Sequence, residues 1–128
     1  MSEAWRLCRQ PYADLSGEGA AVYGGRWNEP GRPVVYLAEH PALAVLEVLV
    51  HLDLPIELLP EDYVLLRVGL PDELAVEDIP ELPADPAAVG TAWLLEARGA
   101  LLRVPSIVVP RAHDILLNPR HRAARMAQ

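Results

Sequence analysis

Gly24-Gly25-Arg26-Trp27-Asn28 is the stretch on which the interpretation of this sequence depends, and it leads into the apolar run Pro33-Val34-Val35-Tyr36. Paired glycines let a backbone turn tightly or approach a ligand closely. The guanidinium of Arg26 suits two phosphate or carboxylate oxygens, and Trp27 and Asn28 add a ring and an amide. The stretch is typical of a loop that binds a planar anion, or of a plain glycine turn with a surface arginine and a core tryptophan. Taken alone, these five residues favour the plain turn.

Composition predicts one domain over residues 1–128 with an ordinary hydrophobic core. Apolar residues make up 52% of the chain and charged residues 23%, as in globular proteins. The net charge is -7, and six of the eleven basic residues lie at or after Arg98. Direct nucleic-acid binding requires a broad basic face, so we expect none. The basic tail fits a solvated helix, or a surface for an acidic partner.

Cysteine usage and hydropathy predict a cytoplasmic protein that does not enter a membrane. Cys8 is the only cysteine, which excludes an internal disulfide and favours a small buried thiol. The N-terminal residues do not resemble a secretory leader. No apolar run approaches the length that crosses a bilayer.

Local patterns predict mixed strands and helices without a regular βαβ alternation, which indicates an α+β fold. The segment 10–32 is rich in glycine and turn formers and is expected to be a long functional loop. Strands are predicted over 4–9, 33–38, 63–70, 74–79, 106–109 and 115–117. Helices are predicted over 41–52, over 87–102 and after Pro119.

The helix predicted over 41–52 is apolar around almost its whole circumference, which is typical of a buried helix. Only Glu47 and His51 interrupt it, four residues apart on one stripe. Burying a carboxylate is costly unless a partner binds it. Either Glu47 lies at the helix edge, reaches water and pairs with His51, or its stripe lines a cleft and the carboxylate faces a ligand.

Several common chemistries lack their motifs here. The four histidines form no Cys/His cluster, so we expect no metal site. Ser106 has no GxSxG elbow around it and is either a hydroxyl donor to a ligand or the cap of a turn. The glycines do not form GxGxxG, and no phosphate-binding P-loop is present.

The ordered set of motifs resembles the RES domain, the toxin part of RES–Xre toxin–antitoxin modules. The matching residues are Arg6, Leu15 to Ala20, Gly24 to Asn28, Val35-Tyr36, Leu46-Glu47, Val104-Pro105-Ser106 and Asn118-Pro119-Arg120-His121. They span nearly the whole chain in the family's order. One departure is Asp114, where the family usually has asparagine.

The resemblance implies an ADP-ribosyltransferase-like α+β fold, with two small packed β-sheets and flanking helices around an NAD cleft. It implies that NAD⁺ is a substrate rather than a permanently bound cofactor, and that the bond between nicotinamide and ribose is cleaved by hydrolysis or phosphorolysis to arrest growth. It also implies an Xre-type helix-turn-helix antitoxin as partner. The alternatives are a protein ADP-ribosyltransferase with a specific acceptor, and a non-catalytic module that binds an antitoxin or a nucleotide.

The same resemblance, with the chemistry of the side chains, gives the candidate site. The expected catalytic residues are Glu47, Arg26, Tyr36 and Ser106. The expected NAD⁺-binding residues are Arg6, Arg26, Asn28, Tyr36, Glu47, Ser106 and Asn118. Glu47 would stabilise a ribosyl cation, Arg26 would hold the pyrophosphate, and Tyr36 would stack on the pyridinium. The sequence leaves open the nucleophile, the oligomeric state, with a homodimer as one alternative, and the effect of Asp114.

Overall fold

The computed structural model describes residues 2–128, which form one six-stranded mixed sheet with three α-helices. The strands are β1 Ser2–Arg9, β2 Val35–Ala38, β3 Tyr63–Leu70, β4 Val76–Asp78, β5 Leu101–Pro105 and β6 His113–Leu117. Their order across the sheet is β3-β1-β2-β6-β5-β4. Only β4 and β5 pair in parallel, and the other neighbours are antiparallel.

Three α-helices and three 3-10 turns of the described chain lie between or after the strands. The α-helices are α1 Glu18–Tyr23, α2 Pro41–Leu52 and α3 Pro86–Glu96. The 3-10 turns are Gln10–Tyr12, Ile56–Leu58 and Arg122–Met126. No helix within residues 2–128 is both long and apolar enough to cross a membrane.

The α+β class is confirmed, but the expectation of two small packed sheets is wrong. Strand β6 pairs with β2 from Val35↔Leu117 to Ala38↔Asp114, and with β5 along its other edge. It therefore joins both halves into a single sheet. Its consecutive residues Ile115, Leu116 and Leu117 are all buried, as expected for a central strand covered on both faces.

The strand register places α2 and α3 on the same face of the sheet. Pairing puts Trp5, Ala38, Asp114 and Val104 on one face, because directly paired residues point to the same side. On that face, α2 packs Leu43 and Ala44 against Ala38. Helix α3 packs Trp93 and Leu94 against Leu102 and Leu116, which form a second hydrophobic cluster. The C-terminal segment covers the opposite face with Ala124 and Ala127.

The helix predicted over 41–52 is confirmed with the same bounds. Pro41 begins it, and the Nδ1 atom of His40 accepts the backbone N–H of Ala42 at 3.0 Å, which caps the first turn. The predicted strands over 4–9, 33–38, 63–70, 74–79 and 115–117 are also present, with small differences at their ends.

Two segments differ from the prediction because of local backbone geometry. The helix predicted over 87–102 ends at Glu96, since Ala97 adopts a left-handed conformation with φ 51°, and Leu101 and Leu102 belong to β5. Residues 106–109 are not a strand. The Ser106 Oγ atom accepts the N–H groups of Val108 and Val109 at 3.1 and 3.2 Å and holds a turn there.

Two further segments differ from the prediction, one on each side of the helix α2 in the sequence. The segment 10–32 contains the short helix α1 and a 3-10 turn, and Gly17 precedes α1 in a left-handed conformation with φ 71°. The helix expected after Pro119 is the 3-10 turn Arg122–Met126.

We expect Gly90→Ala to destabilise the protein, because a Cβ at Gly90 would overlap the carbonyl oxygen of Trp27, where α3 crosses the segment 24–28. Overpacking of this kind costs about 1–3 kcal/mol, so thermal denaturation should show a lower Tm. Gly19→Ala is the matched control, since nothing lies within 4 Å of its added Cβ. An equal Tm for Gly90→Ala and the native chain would contradict this packing.

Candidate functional site

The segment 24–28 is a tight two-residue hairpin with Arg26 and Trp27 at its tip. The N–H of Gly25 donates to the carbonyl of Asn28 at 3.0 Å, and the N–H of Asn28 donates back at 3.4 Å. Gly24 has φ 74°, a conformation that favours glycine. Trp27 is buried against α3, whereas Arg26 is exposed. We call this segment the GGRWN hairpin.

The Tyr36 hydroxyl ties β2 to the GGRWN hairpin. It accepts the Trp27 N–H at 3.0 Å and donates to Asn28 Oδ1 at 2.6 Å. A Cβ at Gly25 would lie 2.7 Å from this hydroxyl, so the second glycine gives the phenol its room. Burial raises the pKa of Tyr36 to about 12, against the opposing effects of the Trp27 N–H and the Arg26 charge. Tyr36 is therefore a neutral phenol at physiological pH.

Asn28 is a buried support of the loop. Its Nδ2 atom donates to the carbonyls of Ala20, Glu29 and Arg32 at 2.9, 3.3 and 3.3 Å. Its Oδ1 atom accepts the Tyr36 hydroxyl, so both polar atoms of the amide make hydrogen bonds within the protein. This geometry gives Asn28 a structural role, and its contact with NAD⁺ stays a prediction.

Arg26 is the cation that the hairpin presents to solvent. Within residues 2–128, no side chain or carbonyl binds its guanidinium, and its charge acts on the neighbouring Tyr36 hydroxyl. A guanidinium at the tip of a hairpin, without a partner among the described residues, can donate two hydrogen bonds to one anion.

Glu47 lies on α2 and turns towards the sheet. The Ser106 Oγ–H donates to Glu47 Oε2 at 2.9 Å, and the same Oγ accepts the two N–H groups of its own turn. Ser106 therefore caps a turn and binds the carboxylate at once. Glu47 is half-buried, while His51 one helical turn later is exposed.

Asp114 is the residue of this site that sequence reasoning did not include. It lies on β6 opposite Ala38 and Val104, largely buried beneath α2, and it hydrogen-bonds with Glu47. Burial, this hydrogen bond and the charges of Glu47 and Glu39 raise the pKa of Asp114 to about 9. Its Oδ1 atom is buried and has no hydrogen-bond partner among residues 2–128. The only signal in the sequence was the departure from asparagine.

The register connects the two halves of the site along one face. Tyr36 and Ala38 point to the same side of β2, about 7 Å apart, and Ala38 is paired with Asp114. The Tyr36 ring and the Glu47–Asp114 carboxyl pair therefore share the sheet face between the GGRWN hairpin and α2. We call this face the candidate site.

Two predicted site residues lie away from this face. Arg6 points to the opposite side of β1 from Trp5, where it donates to the carbonyls of Tyr12 and Asp14 at 2.7 and 2.8 Å. Asn118 is buried after β6 and bonds the carbonyl of Leu94, at 3.3 Å, and the N–H of Arg120, at 3.1 Å. Both stabilise loops in this structure, and their contacts with NAD⁺ stay predictions. No group of three or more potential metal ligands occurs within residues 2–128.

Comparison with known proteins agrees with this arrangement of motifs. The family model of the RES domain matches residues 3–128. The chain belongs to the RES domain family. It is 41% identical over 131 residues to Toxin Res of Pseudomonas putida, which covers 97% of this chain and 89% of that protein.

Two further relatives of this RES protein extend the comparison. It is 42% identical over 125 residues to the Prs ADP-ribosylating toxin of Sphingobium sp., covering 88% of this chain and 76% of that protein. In the crystal structure of the M. tuberculosis MbcT–MbcA toxin–antitoxin complex, a chain superposes with a TM-score of 0.80 at 24% identity, covering 99% of this chain and 80% of that one. The superposition shows a shared fold.

The raised pKa of Asp114 makes the stability of the protein depend on pH. The folded state keeps a proton that the unfolded chain, with an ordinary aspartate pKa near 3.9, releases. The contribution of this bound proton to the free energy of unfolding is therefore full below about pH 4, and it is lost progressively as the pH rises towards 9. Asp114→Asn cannot ionise, so we expect its Tm to exceed that of the native chain by a margin that grows from pH 5 to pH 8.5.

Thermal denaturation at several pH values measures this margin. Glu81→Gln, a charge change at an exposed position, is the control and should give a margin that does not vary with pH. A constant margin for Asp114→Asn would show that Asp114 titrates normally.

Proposed function

We propose that this RES-domain protein is the toxin of a toxin–antitoxin module, and that it consumes NAD⁺ in the cytoplasm by cleaving the nicotinamide–ribose bond. The observation that carries the proposal is the combination of two groups: a Glu47 carboxylate held by the Ser106 hydroxyl, and Arg26, which no group within residues 2–128 binds, on the hairpin tied to Tyr36. Its relatives named as toxins, including one named as ADP-ribosylating, support this assignment. The shared fold with the MbcT–MbcA complex is consistent with it.

Cleavage of the nicotinamide–ribose bond requires a negative charge near the ribose and releases nicotinamide as an uncharged molecule. The C–N bond breaks with its electron pair on the pyridine nitrogen, so cationic nicotinamide departs as a neutral molecule. The ribose becomes a cation at C1′, as in glycoside cleavage. Water or phosphate then forms a bond to C1′ through oxygen; water releases one proton in this step. No strong general acid is needed, and a carboxylate beside C1′ stabilises the transition state.

The candidate site supplies a group for each charge of the substrate. Glu47 lies where it would face the ribosyl cation, and Arg26 would bind the pyrophosphate. The Tyr36 ring would stack on the pyridinium, as a neutral phenol. Ser106, whose proton is directed at Glu47, would orient the carboxylate and, through it, the nicotinamide ribose.

The direct test is incubation of antitoxin-free protein with NAD⁺, with and without phosphate, followed by chromatography with mass detection. Nicotinamide with ADP-ribose means hydrolysis. Nicotinamide with a phosphorylated ADP-ribose, formed only in phosphate, means phosphorolysis. Intact NAD⁺ from a folded protein in both conditions would contradict the proposal of free NAD⁺ cleavage.

We expect Glu47→Gln to lower NAD⁺ turnover by about 100-fold or more, because the amide keeps the shape but removes the charge that stabilises the ribosyl cation. Turnover is measured by nicotinamide release, and circular dichroism checks the fold. Glu81→Gln makes the same change at an exposed position and should retain native turnover. Near-native turnover of Glu47→Gln would remove Glu47 from catalysis.

We expect Arg26→Lys to weaken NAD⁺ binding about tenfold, since an ammonium cannot bind two phosphate oxygens with the geometry of a guanidinium. Binding is measured by calorimetry in the Glu47→Gln background, where turnover is slow. Arg122→Lys, an exposed position in the last 3-10 turn, is the matched control. If Arg26→Lys binds with the native Kd, the arginine does not hold the pyrophosphate.

A second candidate function is transfer of ADP-ribose to a specific protein. The 42% identity to the Prs ADP-ribosylating toxin favours it. The two functions differ in their products: transfer gives nicotinamide together with a protein that carries ADP-ribose, and labelled NAD⁺ in a cell extract detects it.

The antitoxin is the proposed protein partner. The exposed side of α2, the helix that carries Glu47, includes Leu46, Leu49 and Val50, with fractional exposures of 44%, 39% and 59%. An antitoxin that covers these side chains would remove apolar surface from water. The same surface makes a homodimer the alternative occupant.

A further inference from the structure

The Glu47–Asp114 pair is unusual because, within the described residues 2–128, it takes part in no ion pair with a basic side chain. Among residues 2–128, none of the ion pairs includes either carboxyl group. Two ionised carboxylates in contact, under a helix, would repel each other without compensation. A single proton shared between them removes the repulsion and turns the contact into a hydrogen bond.

We propose that Asp114 acts as a neutral hydrogen-bond donor to the Glu47 carboxylate, and that Asp114 and Ser106 together fix the direction in which this carboxylate faces the substrate. Asp114 is then a positioning residue for the reaction proposed above, and the inference about its catalytic effect depends on that function. The protonation of Asp114 and its contact with Glu47 do not depend on that function.

The neighbouring groups explain why the proton stays on Asp114. Glu47 from α2 and Glu39 from the end of β2 both act on it as negative charges, and the Tyr36 phenol of β2 is neutral. The guanidinium of Arg103 is bound to Glu39 itself, with Nη2 3.3 Å from Oε2, and His113 Nδ1 lies 3.4 Å from Glu39 Oε1. Burial and the charges of Glu47 and Glu39 therefore favour the neutral form of Asp114.

The remaining negative charge lies on Glu47, the carboxyl group that accepts a hydrogen bond from Ser106. Ser106 donates to Glu47 Oε2, whereas Asp114 has one buried oxygen without any partner. An orphaned oxygen is tolerable on a neutral acid but costly on a carboxylate. The proton on Asp114 thus leaves one negative charge in the site, held between two donors.

Carboxyl carbon NMR of ¹³C-labelled protein tests the protonation state without any substrate. We expect one aspartate signal to titrate near pH 9 in the native chain and to be absent in Asp114→Asn. Titration of every aspartate below pH 6 would overturn the inference, whether or not the protein cleaves NAD⁺. An aspartate that titrates near pH 9 in an inactive protein would instead overturn the proposed function and leave the carboxyl pair standing.

The pH profile of NAD⁺ turnover tests the positioning effect, with a blank for alkaline loss of NAD⁺. For the native chain we expect kcat to fall about tenfold per pH unit above pH 9, as the second charge displaces Glu47. Asp114→Ala should lower kcat at pH 7 by about 100-fold with a smaller change in KM, because the carboxylate loses one of its two donors.

Asp114→Asn is the conservative variant that separates positioning from packing. Its amide still donates to Glu47 and cannot ionise, so it should restore most of the turnover that alanine removes and abolish the alkaline fall. An alkaline fall of the same size in Asp114→Asn would overturn the inference. If Asp114→Ala does not fold, the comparison of native and Asn pH profiles decides the question.

Discussion

Strand β6 is buried on both faces, and its position in the sheet determines where the core and the carboxyl pair lie. Its apolar residues Ile115, Leu116 and Leu117 are covered on both sides, and its two edges pair with β2 and β5. Because side chains alternate along a strand, a one-residue shift of β6 would move Leu116 and Asp114 to the opposite face. The same register that buries the core therefore places Asp114 beneath α2. The carboxyl pair is a consequence of how the sheet is assembled.

Helix α2 brings the second carboxyl group to this point at a cost in free energy. Leu43 and Ala44 are buried against the sheet, and Glu47 follows Leu43 by one helical turn, on the same side. An unpartnered carboxylate in this position would be strongly destabilising. Ser106 and Asp114 offset part of that cost by hydrogen bonding. Natural proteins accept such local conflicts at functional sites, which is why an acidic residue on an apolar helix was informative in the sequence.

The sequence predicted those features that depend on local geometry. The bounds of α2 follow from Pro41 and from the apolar run that Pro55 closes. The family motifs named Glu47 and Ser106, which a hydrogen bond joins in the structure. It did not predict the single sheet, since the pairing of β6 with both β2 and β5 is a contact between distant segments. It also extended α3 too far, because a left-handed Ala97 carries no composition signal. The contact of Asp114 with Glu47 was not predicted for the same reason, because it too joins distant segments of the chain.

The charge balance of the site bears on how the proposed reaction would be accelerated. In NAD⁺ the positive charge lies on the pyridinium ring, and in the transition state it moves towards the ribose. Only interactions that strengthen in the transition state raise kcat. One carboxylate held at a fixed direction beside the ribose meets this condition, whereas a pair of mobile negative charges would also stabilise the bound pyridinium.

A neutral Asp114 limits the site to one charge and fixes where it lies, while Arg26 remains free at the hairpin for the pyrophosphate. The departure from asparagine at position 114 is then compatible with catalysis, because a protonated aspartate offers the same kind of donor as an amide for as long as it keeps its proton.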